Sequence, residues 1–169
     1  FLSFRYMYTI MTNDVEEFSI NKNRLSKSTA EKVSEKGLPK LINIYSKYDI
    51  EATFYFTGTF ASSFPKSVKL VHDNGHEIGS HGHSHHLHHS FDIMSTNQQY
   101  VHLTKSKRVI EELVGPIEAF RAPALRISNN TIPILERLGF KTDSSVSSQR
   151  FDGPFTFGSG RKIKWLVAP

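Results

Sequence analysis

The 169-residue sequence predicts an α/β fold in which parallel strands are joined by helices. Three observations predict it. Short β-branched and aromatic runs alternate with stretches whose apolar residues recur near a 3.6-residue period. Gly, Pro and Asn fall between these runs. No Gly/Ser linker and no repeat interrupts the series, so residues 1–169 are expected to form one domain.

Each element has its own reason. Tyr6 to Thr12 reads as a buried strand that ends in the acidic stretch Asn13-Asp14-Val15-Glu16-Glu17. Ser19 to Lys36 is polar and gives no clear element. Gly37-Leu38-Pro39 opens a helix with Leu38, Leu41, Ile42 and Tyr45 on one face. Ala52 to Thr57 is a second strand. Phe64-Pro65 leads a helix carrying Val68, Leu70 and Val71, closed by Asn74-Gly75. Glu77-Ile78-Gly79 is a third strand running into a His-rich loop. Ser95 or Thr96 caps a helix with a Val101, Lys105, Val109, Ile110, Leu113 stripe, ended by Gly115-Pro116. Ala119-Phe120 is a fourth strand. Asn129 or Asn130 starts a helix with Ile134, Leu135 and Leu138, and Phe140 to Asp143 is a fifth strand. Lys162 to Val167 reads as one more strand.

Composition narrows the function. A hydrophobic fraction of 38% supports a core rather than disorder. The absence of Cys excludes disulfides, thiolate metal sites and a Cys nucleophile. The net charge of +5 comes without a dense basic stripe, so nucleic acid is not an expected partner. Arg161-Lys162-Lys164 reads as a solvated surface turn. Phe1 to Met11 is apolar but interrupted by Arg5 and too short to span a bilayer, and no cleavage site follows it. The compartment stays open, with the cytoplasm favoured. A start on Phe, with Met7 and Met11 close behind, suggests that the natural N-terminus lies elsewhere.

Polar residues gather after each expected strand: Asp14 and Glu16 after the first, His81 and His85 after the third, Arg121 after the fourth and Asp143 after the fifth. In parallel α/β folds these ends open on one face, which carries the site. All nine His lie between His72 and His102. One helical turn would bring His81 and His85 to the same side, where two nitrogens reach one metal at about 2.0–2.1 Å. A carboxylate from another strand would complete a three-ligand set with an open position for water. Asp14 and Glu16, two apart, share a side of their strand, so one could bind the metal while the other takes a proton. His83, His86, His88 and His89 are read as loop or rim residues.

Thr12-Asn13-Asp14-Val15-Glu16, His81-Gly82-His83-Ser84-His85 and Arg121-Ala122-Pro123 resemble three ordered motifs of the polysaccharide deacetylases, the NodB-homology family also called carbohydrate esterase family 4. Ala52 to Thr57, Gly75 to Ser80 and Asp143-Ser144-Ser145 extend the resemblance from about Met7 to Phe157. It implies a distorted (β/α) barrel and a metal-dependent hydrolase of carbon–nitrogen amide bonds, not peptide bonds, acting on an N-acetylated glycan or amino sugar. It implies Asp14 as general base, His81 and His85 as ligands of one divalent ion, most readily Zn with Co, Ni or Mn as alternatives, and Arg121 as the residue that orients the base. The N–H of Ala124 falls where an oxyanion donor is expected, with Asp143 nearby.

Two departures follow. Val15 stands where the family carries a second adjacent Asp, so Glu16 becomes the third metal ligand, as in a subgroup with Asp-x-Glu spacing. The alternative gives the metal to Asp14, with Glu16 behind it. The family's terminal Leu-x-His general acid is also absent, since no His follows His102. The expectation is therefore a catalytic domain truncated at its C-terminus, with the acid beyond Pro169. Two other functions stay open: a hydrolase of cyclic imides or ureides, and a non-catalytic carbohydrate- or metal-binding remnant. A homo-oligomer could cover an open barrel edge.

Overall fold

The computed structural model describes residues 9–19 and 24–146. Strand β1 (Met11–Val15) leads to a hairpin of β2 (Phe18–Ser19) and β3 (Arg24–Leu25). Helix α1 (Lys27–Lys32) follows, with the Ser26 hydroxyl accepting from the Thr29 N–H. A π-helical turn over Val33–Gly37 carries it into α2 (Leu38–Lys47). Then come β4 (Ala52–Phe56), α3 (Gly58–Ser63), α4 (Pro65–Asp73) and β5 (Glu77–Ser80). The long helix α5 (Thr96–Val114), β6 (Ala119–Phe120), α6 (Thr131–Arg137) and β7 (Thr142–Asp143) complete the series.

Among the described residues, five parallel strands form one sheet in the order β1-β4-β5-β6-β7. One register row crosses it: Asp14 opposite Tyr55, Tyr55 opposite Gly79, Gly79 opposite Ala119. Period two divides β4 between the two faces. Phe54 and Phe56 enter the helix-covered core with Phe60, Phe91, Leu103, Ile110 and Phe120. Each such side chain stabilises the fold by about 1.5–3 kcal/mol. Tyr55 takes the opposite face, which leads to the polar strand ends.

Several expectations shift. Among the described residues the first strand starts at Met11, so Asp14 lies within it rather than after it; Tyr6 to Tyr8 are outside the described residues, as are Lys162 to Val167 and the Arg161 cluster. The fifth strand is only Thr142–Asp143, which places Asp143 inside it. Ser19 to Lys36 holds the hairpin and a helix, so Gly37 lies inside a continuous helical path. Leu70 faces outward, while Val68 and Val71 are buried.

The buried side of α5 is Gln99, His102, Leu103, Ser106 and Ile110, with Val101 exposed. The stripe rotates because its buried residues are partly polar and find partners. The Gln99 amide donates to the carbonyls of Phe91 and Met94 at 2.9 and 3.0 Å and accepts from the Thr131 hydroxyl at 2.8 Å. Once paired, a buried amide loses its desolvation penalty.

Candidate metal centre

Four strand ends meet at one place. Glu16 leaves β1, His81 leaves β5 with His85 four residues on, Arg121 leaves β6 and Ser144 leaves β7. His81 Nε2 and His85 Nε2 each lie 3.6 Å from Glu16 Oε2. All three potential donor atoms fall within 4.8 Å of one another. The two imidazoles stack at 5.8 Å between centroids, 24° apart.

The segment joining the two histidines is a loop, as expected after the third strand, and it brings the rings together without a helical turn. Gly82 makes this possible with φ +70°, a left-handed conformation that side chains disfavour. Its carbonyl accepts from the Gly58 N–H at 2.9 Å and the Ser106 hydroxyl at 2.7 Å. The loop is thus pinned to α3 and α5.

The nitrogen not facing Glu16 determines what His81 can do. His81 Nδ1 donates to the Arg121 carbonyl at 2.9 Å, which leaves the lone pair on Nε2. Burial pushes His81 down to about 4, so the ring is neutral near pH 7. Burial also lowers His85, whose ring packs 4.6 Å from Phe18. Glu16 goes the other way: burial first, then the charges of Asp14 and Glu17, push it up to about 8. Its Oε2 is buried and has no hydrogen-bond partner among the described residues. An orphaned buried oxygen costs about 1–3 kcal/mol. A divalent cation among one carboxylate and two neutral imidazoles would relieve that cost, so the residues present fit a metal.

Asp14 stands beside this group, with Oδ2 3.9 Å from His81 Nε2. Its Oδ1 accepts from Arg121 Nη1 at 2.9 Å. Arg121 Nη2 donates to Thr12 Oγ1 at 2.9 Å and Ser144 Oγ at 2.7 Å. Arg121 therefore orients the second carboxylate with its side chain and His81 with its backbone. Asp143 accepts from the N–H and hydroxyl of Ser145, whose oxygen accepts the Ala122 N–H at 2.8 Å. Burial raises Asp143, against the lowering effects of these bonds and of Arg121. Ala124 is exposed on the turn after Arg121, in a left-handed conformation at φ 54° and ψ 19°.

A family model described as polysaccharide deacetylase matches residues 22–142. The chain belongs to the polysaccharide deacetylase family. It is 34% identical over 118 residues to a peptidoglycan deacetylase of Helicobacter pylori, covering 69% of this chain and 39% of that one. It is 36% identical over 115 residues to a peptidoglycan deacetylase-like protein of Gibberella zeae, covering 66% and 33%. The chain thus spans between a third and two-fifths of the length of these relatives. A carbohydrate esterase family 4 pseudoenzyme of Bacillus anthracis superposes with a TM-score of 0.62 at 20% identity, over 79% of this chain and 42% of that one. The parallel sheet is accordingly part of the polysaccharide deacetylase (β/α) barrel.

Within this deacetylase-family site, sequence reading named Glu16, His81, His85, Asp14 and Arg121, and these come together. It gave no role to Thr12 or Ser144, which stand in the quoted motifs, nor to Phe18 or the Arg121 carbonyl. Thr12 had a signal, since period two places it on the side of Asp14. Phe18 had none, because only the hairpin folds it onto His85.

Proposed function

We propose that the protein hydrolyses the acetamide of N-acetylated amino sugars in a glycan, using one divalent ion, zinc first, held by Glu16, His81 and His85. The meeting of one carboxylate and two imidazoles beside a second, Arg121-held carboxylate carries this reading. The bound ion supplies a Lewis acid for the acetyl carbonyl and acidifies water at the centre. Asp14 accepts the proton of the attacking water, and Arg121 aims its carboxylate. The Ala124 N–H donates to the developing oxyanion, a role supported by its strained turn after Arg121. Asp143 holds that turn through Ser145. Residues 1–169 belong to one catalytic domain in this reading. The Helicobacter relative's description as a peptidoglycan deacetylase supports a glycan amide over a cyclic imide or ureide.

The test measures acetate release from N-acetylglucosamine oligomers and peptidoglycan, with cyclic imides in parallel, using full-length protein. Zinc-dependent acetate release that disappears in His81→Ala is the expected outcome. Ring opening of the imides without acetate release would transfer the site to the other amide class. Zinc uptake with neither reaction would leave a binding remnant.

A further inference from the structure

The register row through Asp14, Tyr55, Gly79 and Ala119 has a consequence for Arg121. Tyr55 is buried on the site face of β4, and its ring crosses the strand beside it at Gly79. A Cβ on Gly79 would sit 2.6 Å from Tyr55 Cδ1, 2.8 Å from Cε1 and 2.9 Å from the Ala119 carbonyl oxygen. The absent side chain is therefore what lets the ring lie there. The same ring meets the guanidinium, with Arg121 Cζ 4.5 Å from its centroid. A cation over a ring face at that distance is attracted, more strongly when desolvated.

We propose that Tyr55 is a positioning residue: its ring, laid across Gly79, is the surface on which the Arg121 guanidinium rests while it holds Asp14. The hydrogen bonds to Thr12, Ser144 and Asp14 fix the guanidinium within its plane. The Tyr55 ring adds a wall beside the guanidinium that supports the position those bonds set. The plane matters because an Arg–carboxylate contact is directional, and a small misplacement of a catalytic group slows a reaction far more than it weakens binding.

This inference rests on the proposed deacetylase reading, and its test separates the two. Full-length wild type, Tyr55→Leu, Tyr55→Phe and Tyr55→Trp are compared for zinc affinity, kcat and KM on an N-acetylglucosamine oligomer. Rotation of the Arg121 guanidinium is followed by 15N NMR. Tyr55→Leu should lower kcat about tenfold with KM and zinc affinity within about twofold, and speed guanidinium rotation. Tyr55→Phe and Tyr55→Trp, which keep a ring face, should recover most of kcat and the slow rotation. Unchanged kcat and rotation in Tyr55→Leu, or equal impairment in Tyr55→Phe, would overturn the role. So would a loss of zinc affinity parallel to kcat, which marks a merely structural residue. If wild type itself releases no acetate, the deacetylase reading fails, and the rotation measurement alone decides whether Tyr55 holds Arg121. If Tyr55→Leu does not fold, the Phe and Trp variants decide: rotation as fast in both as in free arginine would overturn the proposal.

Discussion

Two groups of histidines meet around one loop, and His81 in the first differs from His86 and His102 in the second in what the second nitrogen does. The inner pair is His81 and His85. The outer group is His83, His86, His88, His89 and His102, with rings 5.1–5.7 Å apart for the His89–His102, His86–His89 and His83–His102 pairs. Ring spacing alone would make the outer group a second metal cluster. In it, however, His102 Nδ1 accepts the His83 N–H at 3.2 Å, and His86 Nδ1 accepts the His88 N–H at 3.3 Å. In these two rings the Nδ1 lone pair is engaged by a backbone N–H. His81 has the reverse arrangement: Nδ1 donates to a carbonyl, and Nε2 turns its lone pair toward Glu16. In His81, His86 and His102 the backbone group on Nδ1 sets which lone pair is free, whatever the local density of histidine.

The largest effect expected from breaking this contrast is in His81→Ala. Zinc affinity should fall about 100-fold or more, measured by competition with a chelating dye. Retention of full affinity would move the metal away from the inner pair.

Glu16→Gln sharpens the contrast through pH. The folded value of Glu16, about 8, lies above its ordinary 4.5. Its contribution to metal-free stability is thus fully present below pH 4.5 and is lost as pH rises through about 8. His81 has the opposite sign. Its folded value of about 4 lies below 6.5, so its contribution is present above pH 6.5 and lost as pH falls through 4. Calorimetry of metal-free protein should show Glu16→Gln melting several degrees above wild type at pH 9 and level with it at pH 4.5. Zinc should erase the alkaline advantage, because it needs the carboxylate.

Arg121→Lys should lower kcat about 30-fold, since an ammonium cannot span Asp14, Thr12 and Ser144 together. Zinc affinity should change far less, because the carbonyl that orients His81 remains. An equal loss of both would mean that the side chain and backbone of Arg121 do not act separately.

Gly82→Ala tests the loop. A Cβ there would meet Phe91 Cε2 at 3.2 Å and His102 Cε1 at 3.3 Å, at a φ of +70°. Urea unfolding should show a loss of about 1–2 kcal/mol. The smallest effect belongs to His88→Ala, which should leave zinc affinity and acetate release within about twofold. A large loss there would recruit the outer group after all.

Much of this was legible along the chain. Strand order, the helices α2, α4, α5 and α6, and the residues Asp14, Glu16, His81, His85 and Arg121 follow from local pattern. Apolar period and turn chemistry act within a few residues, and parallel topology sends strand ends to one face. The hairpin that folds Phe18 onto His85 was not legible, because two-residue strands leave too short a pattern. The rotated face of α5 was missed because its buried residues are partly polar. Gln99 reads as a surface residue until the preceding loop at Phe91 and Met94 and the distant Thr131 close around its amide.

Sequence alone settled which residue types stand at the strand ends and, through ordered motifs, which family they belong to. Only the tertiary structure decided their states. The Arg121 carbonyl selects the tautomer of His81 across 40 residues, and burial raises Glu16 while lowering His81. Gly79 admits the Tyr55 ring beneath Arg121. Tautomer, ionisation and ring placement depend on groups close in space but far apart in the chain, and local residue pattern carries no record of those distances.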